Sequence, residues 1–274
     1  MKLFVNLTIA VLCVAALPDL TRADAEAKVG VDIRDRAQIR KHLAKELKEL
    51  PELADEELFR LPNHATFSMR DWTLHLNDQL WKDDDSIKAT HTMLRLLSGQ
   101  LQRVVSTVPV DAVAKLRKVP IWINPEYENE RPRCEYHPGA GWLSDNGRDP
   151  VMEKAVEISN VAIFEFENRR MPYLMLHELS HAYHDQVLGF DEPRIIAAFE
   201  LARDSGSYDS VKRFTGKKTV TDKAYALSNH KEYFSESTEA YFGKNDFYPF
   251  DRVELRKHDR QIHDLLEKLW GVSH

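Results

Sequence analysis

The stretch Met171-Pro172-Tyr173-Leu174-Met175-Leu176-His177-Glu178-Leu179-Ser180-His181-Ala182-Tyr183-His184-Asp185 places two histidines four residues apart, with Glu178 directly after the first. Four residues of α-helix rise about 6 Å, at 1.5 Å each, and come back to the same face, so His177 and His181 can grip one zinc ion. Glu178 then stands where it can take a proton from zinc-bound water. Pro172 suits the first turn of a helix, and Leu174, Met175, Leu176 and Leu179 supply the apolar positions that bury the rest of it. Two imidazoles do not complete a site, and the third ligand has to come from elsewhere in the chain.

Where it comes from narrows by spacing. The metzincin pattern needs a glycine at position 184 and a histidine at 187, and the chain has His184 and Val187. His184 shares the face of the other two histidines but lies about 10 Å along the axis from His177, too far to close the same tetrahedron easily. Glu200 follows His181 at nearly the thermolysin-like distance, without the Asn-Glu-x-x-x-Asp context. The segment Tyr225-Ala226-Leu227-Ser228-Asn229-His230-Lys231-Glu232-Tyr233-Phe234-Ser235-Glu236-Ser237-Thr238-Glu239-Ala240-Tyr241-Phe242 sets Glu232, Glu236 and Glu239 on one helical stripe, with Ser228 or Asn229 as the cap. Such a stripe is ordinarily a solvated face. With two imidazoles upstream, a carboxylate on it has a clear task.

The pair HELSH (177–181) and YALSNHKEYFSE (225–236) resembles the catalytic-domain family of anthrax lethal factor and its relatives, a gluzincin group of zinc peptidases. The resemblance implies that His177, His181 and Glu232 are zinc ligands, that Glu178 is the general base, and that Tyr225, seven residues before Glu232, donates a hydrogen bond in the transition state. Glu236 matches the family's second carboxylate, which braces a ligand histidine from behind. The likeness covers only residues 171–243, so it implies no substrate range.

Outward from this centre, the order of elements suggests an α+β fold of zincin-like type, a mixed β-sheet packed by helices with a mostly helical C-terminal part. Residues 31–50 repeat apolar positions at helical spacing and Pro51 closes them. Residues 67–76, with Trp72, Leu74 and Leu76 alternating, read as a strand, and a long helix is expected over 86–105. Val119 to Pro125 is a compact strand, and Cys134 to Ser144 a loop broken by glycine and proline. Ala155 to Ile158, continuing to Phe166, reads as a strand at the sheet edge that can pair with an extended substrate. After Pro172 helix dominates, apart from a loop near 205–223.

The first 25 residues stand apart. Lys2 precedes an apolar run from Leu3 to Leu17, and Ala23-Asp24-Ala25 has the small-x-small form of a signal-peptidase site. About 15 apolar residues fall short of the roughly 20 a spanning helix needs, so residues 1–25 are expected to be a cleaved signal, leaving no stable membrane anchor and a secreted protein, periplasmic or extracellular. Residues 26–60 then form an N-terminal helical annex and 61–274 the metallopeptidase domain. Signal cleavage removes Cys13 and leaves Cys134 alone, so no intrachain disulfide can form. The thiol reads as a small buried apolar group. His137, in a loop beside glycine and Trp142, reads as a turn-stabilising residue.

With 274 residues, a net charge of −6, 43% hydrophobic and 30% charged residues, the composition supports a folded core and offers no broad cationic surface for nucleic acid. No Gly-rich phosphate loop occurs. The sequence therefore points to a secreted zinc metalloendopeptidase acting on a peptide or protein substrate, with one catalytic zinc. A non-cleaving secreted zinc-binding protein of the same fold is the alternative, and hydrolysis of another amide is a third reading.

Overall fold

A computed structural model describes residues 63–272. The expected signal peptide, the helix at 31–50 and the annex at 26–60 lie outside the described residues, which form an α+β fold with a mixed sheet.

The sheet begins with a hairpin where one strand was expected. Strands β1 (His64–Met69) and β2 (Trp72–Asn77) pair antiparallel, with Met69 opposite Trp72. The two turn residues, Arg70 and Asp71, both take positive φ, 52° and 66°. A two-residue turn of this hand matches the twist of the strands it joins, but Arg-Asp is not the glycine-containing pair that marks such turns in a sequence.

Helix α1 (Asp84–Thr107) is capped by Asp83, whose carboxylate accepts from the Ser86 amide at 2.8 Å. Its buried face includes Met93, Leu94, Leu97, Leu101 and Val104. A short α2 (Val110–Leu116) leads to β3 (Ile121–Ile123), which lies parallel to β2. Strand β4 (Cys134–Tyr136), helix α3 (Ala140–Asp145) and β5 (Val156–Ile158) follow.

The strand order is β1-β2-β3-β5-β4, with β5 parallel to β3 and antiparallel to β4. This corrects two expectations. The strand at 155–158 is internal, not an edge, because the segment read as a loop from Cys134 supplies the strand that covers it. Nor does β5 run on to Phe166: it stops at Ile158, and α4 (Phe164–Arg170) begins after one 3-10 turn.

Both sheet faces are buried. On one side Trp122 packs with Leu143, Met152 and Ala155. On the other the sheet joins the main core, which α5 (Leu174–Tyr183) crosses. Helix α1 fixes the start of α5 through Gln100, whose Oε1 accepts from the Met175 amide at 2.7 Å while its Nε2 donates to Asn168 at 3.0 Å. That satisfies one of the orphan amides of the helix start with a buried side chain. Arg103 donates to the Pro172 carbonyl at 3.0 Å.

A π-turn (His184–Leu188) ends α5, and α6 (Pro193–Ser205) follows. The expected loop near 205–223 holds a second hairpin, β6 (Val211–Phe214) with β7 (Thr219–Asp222). Helix α7 (His230–Phe242) packs against α5 and starts at Asn229, whose Oδ1 accepts from Lys231 N at 2.9 Å and Glu232 N at 3.1 Å. Helices α8 (Arg252–His258) and α9 (Arg260–Trp270) close the chain. Trp270 locks α5 to α7, stacking on Tyr183 with ring centres 4.1 Å apart and donating to Thr238 Oγ1 at 3.3 Å. Among the described residues no helix is long and apolar enough to cross a membrane.

Candidate metal centre

Helices α5 and α7 bring three donor atoms together. His177 Nε2 lies 3.2 Å from His181 Nε2 and 3.1 Å from Glu232 Oε2, and His181 Nε2 lies 3.3 Å from the same carboxylate oxygen. A tetrahedral ion bound at about 2.05 Å by nitrogen and oxygen has ligand–ligand edges of about 3.3 Å. The observed triangle has that size, so these three residues can hold a metal ion. Glu200 is exposed on α6 and stands outside the trio.

Behind the trio stands a carboxylate whose role the sequence reading assigned to its neighbour. Glu239 Oε1 lies 2.8 Å from His177 Nδ1, whereas Glu236 Oε1 is 3.8 Å away, outside hydrogen-bond reach. Glu239 is therefore the brace, and Glu236 instead accepts from Asn245 Nδ2 at 3.0 Å. Two residues share the stripe below Glu232, and the helix crossing, not the spacing, decides which meets the ring. With Nδ1–H donating to Glu239, the Nε2 lone pair is turned toward Glu232 and His181.

The stripe is buried, not solvated, and its electrostatics follow. Burial raises the Glu239 carboxyl to about 7, against the pull of His177. It also raises Glu236, with the Glu239 and Asp246 charges adding to it. Burial opposes ionisation of Glu232 as well, but the two imidazoles outweigh it and hold this carboxyl well below the usual range. Burial opposes protonation of His177, but Glu232 and Glu239 outweigh it and raise the group above the usual histidine value, while burial lowers His181.

Glu178 lines the same cavity as the trio. Its Oε2 accepts from the Tyr136 amide of edge strand β4 at 2.9 Å, and burial pushes its carboxyl up to about 8. This contact ties the sheet edge to the residue beside the trio. Tyr225 also lines this cavity, in a 3-10 turn (Tyr225–Ser228) that leads into the α7 cap, and remains 49% exposed. The trio, Glu178, Glu236 and Tyr225 line one cavity of about 590 Å³, together with Cys134, Glu135 and Tyr136.

His184 is fully buried among Phe190, Phe234 and His230, with neither ring nitrogen hydrogen-bonded, and burial lowers it to about 3. Cys134 is half-buried against Met175, with sulfurs 4.0 Å apart, and burial keeps it a thiol. His137 does more than hold a turn: its Nε2 lies 2.9 Å from Glu157 Oε2 at the centre of a buried cluster. Glu157 also accepts from Arg148 Nη1 at 2.6 Å, Tyr127 Oη at 2.5 Å and Asn124 Nδ2 at 2.6 Å. Glu135, His137 and Glu157 lie close enough to resemble a metal site, but the Arg148 guanidinium, 2.8 Å from Glu135 and 2.6 Å from Glu157, already supplies the positive charge there.

No protein-family model matches the chain, nor does any curated protein or any solved structure.

Proposed function

We propose that the chain is a secreted zinc metallopeptidase of the gluzincin type with a zincin-like fold, hydrolysing peptide bonds with Glu178 as general base. The observation that carries this is the convergence of His177 Nε2, His181 Nε2 and Glu232 Oε2 within 3.1 to 3.3 Å of one another, beside a carboxylate that is not part of the trio. Two imidazoles and one carboxylate are a donor set suited to zinc, and three protein ligands characterise catalytic rather than structural sites.

The chemistry zinc supplies in such a site is that of a Lewis acid, making water a nucleophile near neutral pH and polarising a carbonyl. The chain's own residues do the rest. Glu178 accepts the proton of the attacking water and passes it to the leaving amine, held in orientation by the Tyr136 N–H. Tyr225, lining the same cavity, donates its hydroxyl hydrogen to the oxygen that gains charge. Glu239 holds the His177 ring and its tautomer. Strand β4, at the sheet edge, offers the outward backbone groups that remain beside the Tyr136 N–H held by Glu178 to an extended peptide.

A non-cleaving zinc-binding protein is the second reading. What favours catalysis over it is the cavity: a structural zinc is normally closed by four protein ligands, and here the trio opens onto about 590 Å³ of space lined by Glu178 and Tyr225. Secretion is proposed from the N-terminal sequence alone, and hydrolysis of a non-peptide amide would use the same groups. The experiment is elemental analysis of purified protein and of Glu232→Ala, followed by cleavage of an unfolded protein by wild type and by Glu178→Gln. One zinc per chain, lost in Glu232→Ala, with cleavage abolished in Glu178→Gln, is the expected result. Wild type without zinc after gentle preparation and added metal overturns the proposal.

A further inference from the structure

On a chain of net charge −6, the cavity beside the trio is lined by carboxylates and cations that differ in how far they are already paired. Each carboxylate that lines it is already engaged. Glu135 contacts Arg148 at 2.8 Å, Glu167 and Asp246 contact Arg170 at 2.5 and 2.6 Å, and Glu236 is bonded to Asn245 at 3.0 Å. Glu178 holds the Tyr136 amide and Glu232 faces two imidazoles.

Among the cations that line it, Arg170 is held by Glu167 and Asp246 and Arg213 by Asp222, but three others are not so engaged. Arg131 has no carboxylate partner among the described residues. Lys231 rests its ammonium over the Phe190 ring, 4.0 Å from its centre, and likewise has no carboxylate partner among them. Arg133, exposed, has only a 3.4 Å contact to Glu135, the residue whose other oxygen belongs to Arg148.

One of these cations, Arg133, extends the edge strand, and Arg131 lies two residues before it. The backbone ladder continues past Cys134, since Ser159 N donates to the Arg133 carbonyl at 2.8 Å. A peptide added along the open side of β4 passes Tyr136, beside Glu178, and then Arg133 and Arg131. At about 3.3 Å per residue these lie roughly 10 to 17 Å farther along the strand. Opposite charges facing each other across paired strands attract, and like charges repel.

We infer that the cleft selects peptides carrying acidic side chains within about five residues of the cleaved bond, on the one side that passes Arg133 and Arg131, an inference that rests on the peptidase proposal above. The charge preference is separable from cleavage.

The test uses zinc-loaded Glu178→Gln protein and fluorescent ten-residue peptides with Asp or Glu, Ser or Gln, or Lys at alternate positions, read by anisotropy. The acidic peptide should bind at least about tenfold tighter than the neutral one at low salt, with the gap shrinking as salt rises. Arg131→Glu with Arg133→Glu should erase or reverse the gap, Lys231→Gln should narrow it, and unchanged zinc content shows that each variant is folded. Equal binding of acidic and neutral peptides overturns the inference, as does an acidic preference untouched by these substitutions. Cleavage of neutral and acidic peptides alike by wild type would sink it and leave the peptidase proposal standing. Tight, arginine-dependent binding of acidic peptides that wild type never cleaves would support the charge preference and overturn the peptidase proposal.

Discussion

Glu239 holds His177 from behind: its Oε1 lies 2.8 Å from Nδ1, on the far side of the ring from the Nε2 that meets Glu232. The contact is buried at both ends, so the imidazole has no water to turn toward. Loss of such a partner ordinarily costs about 10- to 100-fold in metal affinity. Glu239→Gln should weaken zinc binding by that amount in a competition titration with a chelator, and Glu236→Gln, whose carboxyl meets Asn245 instead, should weaken it less. Equal effects of the two would return the bracing role to Glu236 or share it.

In the proposed mechanism Glu178 and Tyr225 act on the substrate and are not part of the trio, so their removal should separate metal binding from turnover. Glu178→Gln keeps the shape and can still accept the Tyr136 amide, but it cannot take a proton. Zinc content should stay at the wild-type level while cleavage falls at least about 10²- to 10⁴-fold. Tyr225→Phe should lower kcat by about 10²- to 10³-fold with KM little changed, since a donor to developing charge acts only in the transition state. An unchanged rate in Tyr225→Phe would leave that half-exposed ring a wall residue.

What the sequence disclosed of this site is what is local. His177, Glu178 and His181 lie within one helical turn, and their spacing alone puts the two imidazoles on one face. The stripe of three carboxylates marked the helix, and the resemblance of its motif to a peptidase family singled out Glu232 on it, while the choice between Glu236 and Glu239 behind it depends on how α7 crosses α5, which no local spacing encodes. The edge strand was misplaced for a related reason. Cys134–Tyr136 is three residues long, set between Arg-Pro-Arg and His-Pro-Gly, and becomes a strand only because β5 is there to pair with it. The Glu157 cluster was invisible as a unit, its members being drawn from separate segments between Asn124 and Glu157.

That cluster predicts how the fold responds to acid. Burial opposes ionisation of Glu157, but His137, Tyr127, Asn124 and Arg148 outweigh it and lower the carboxyl from 4.5 to about 2. A group whose pKa falls on folding contributes stability that is fully present above its unfolded value and is lost as pH drops through the folded one. The window is therefore about pH 5 to 2, and the contribution lost across it is about 3 kcal/mol. Thermal melts should show Glu157→Gln well below wild type at pH 6, with the gap closing between pH 5 and 2. A gap that stays constant down to pH 2 would mean that the cluster stabilises by packing and not by charge.

Gly243, just past α7, faces the ring of Tyr173 at the start of α5. A methyl group added there would fall onto the Tyr173 ring atoms, nearer than any ordinary carbon contact. The backbone at this position is not in the left-handed region, with φ at −160°, so the demand is for space and not for conformation. Gly243→Ala must therefore push the ring out or part the two helices that carry the trio, at a cost of about 1–3 kcal/mol typical of overpacking. The cost should vanish largely when Tyr173→Ala clears the ring, so the double variant should melt closer to Tyr173→Ala alone than Gly243→Ala does to wild type. If Gly243→Ala moves the helices, zinc affinity should fall with it and recover in the double variant. Additive losses in the two variants would show that the clash is relieved elsewhere and that the contact does not set the helix spacing.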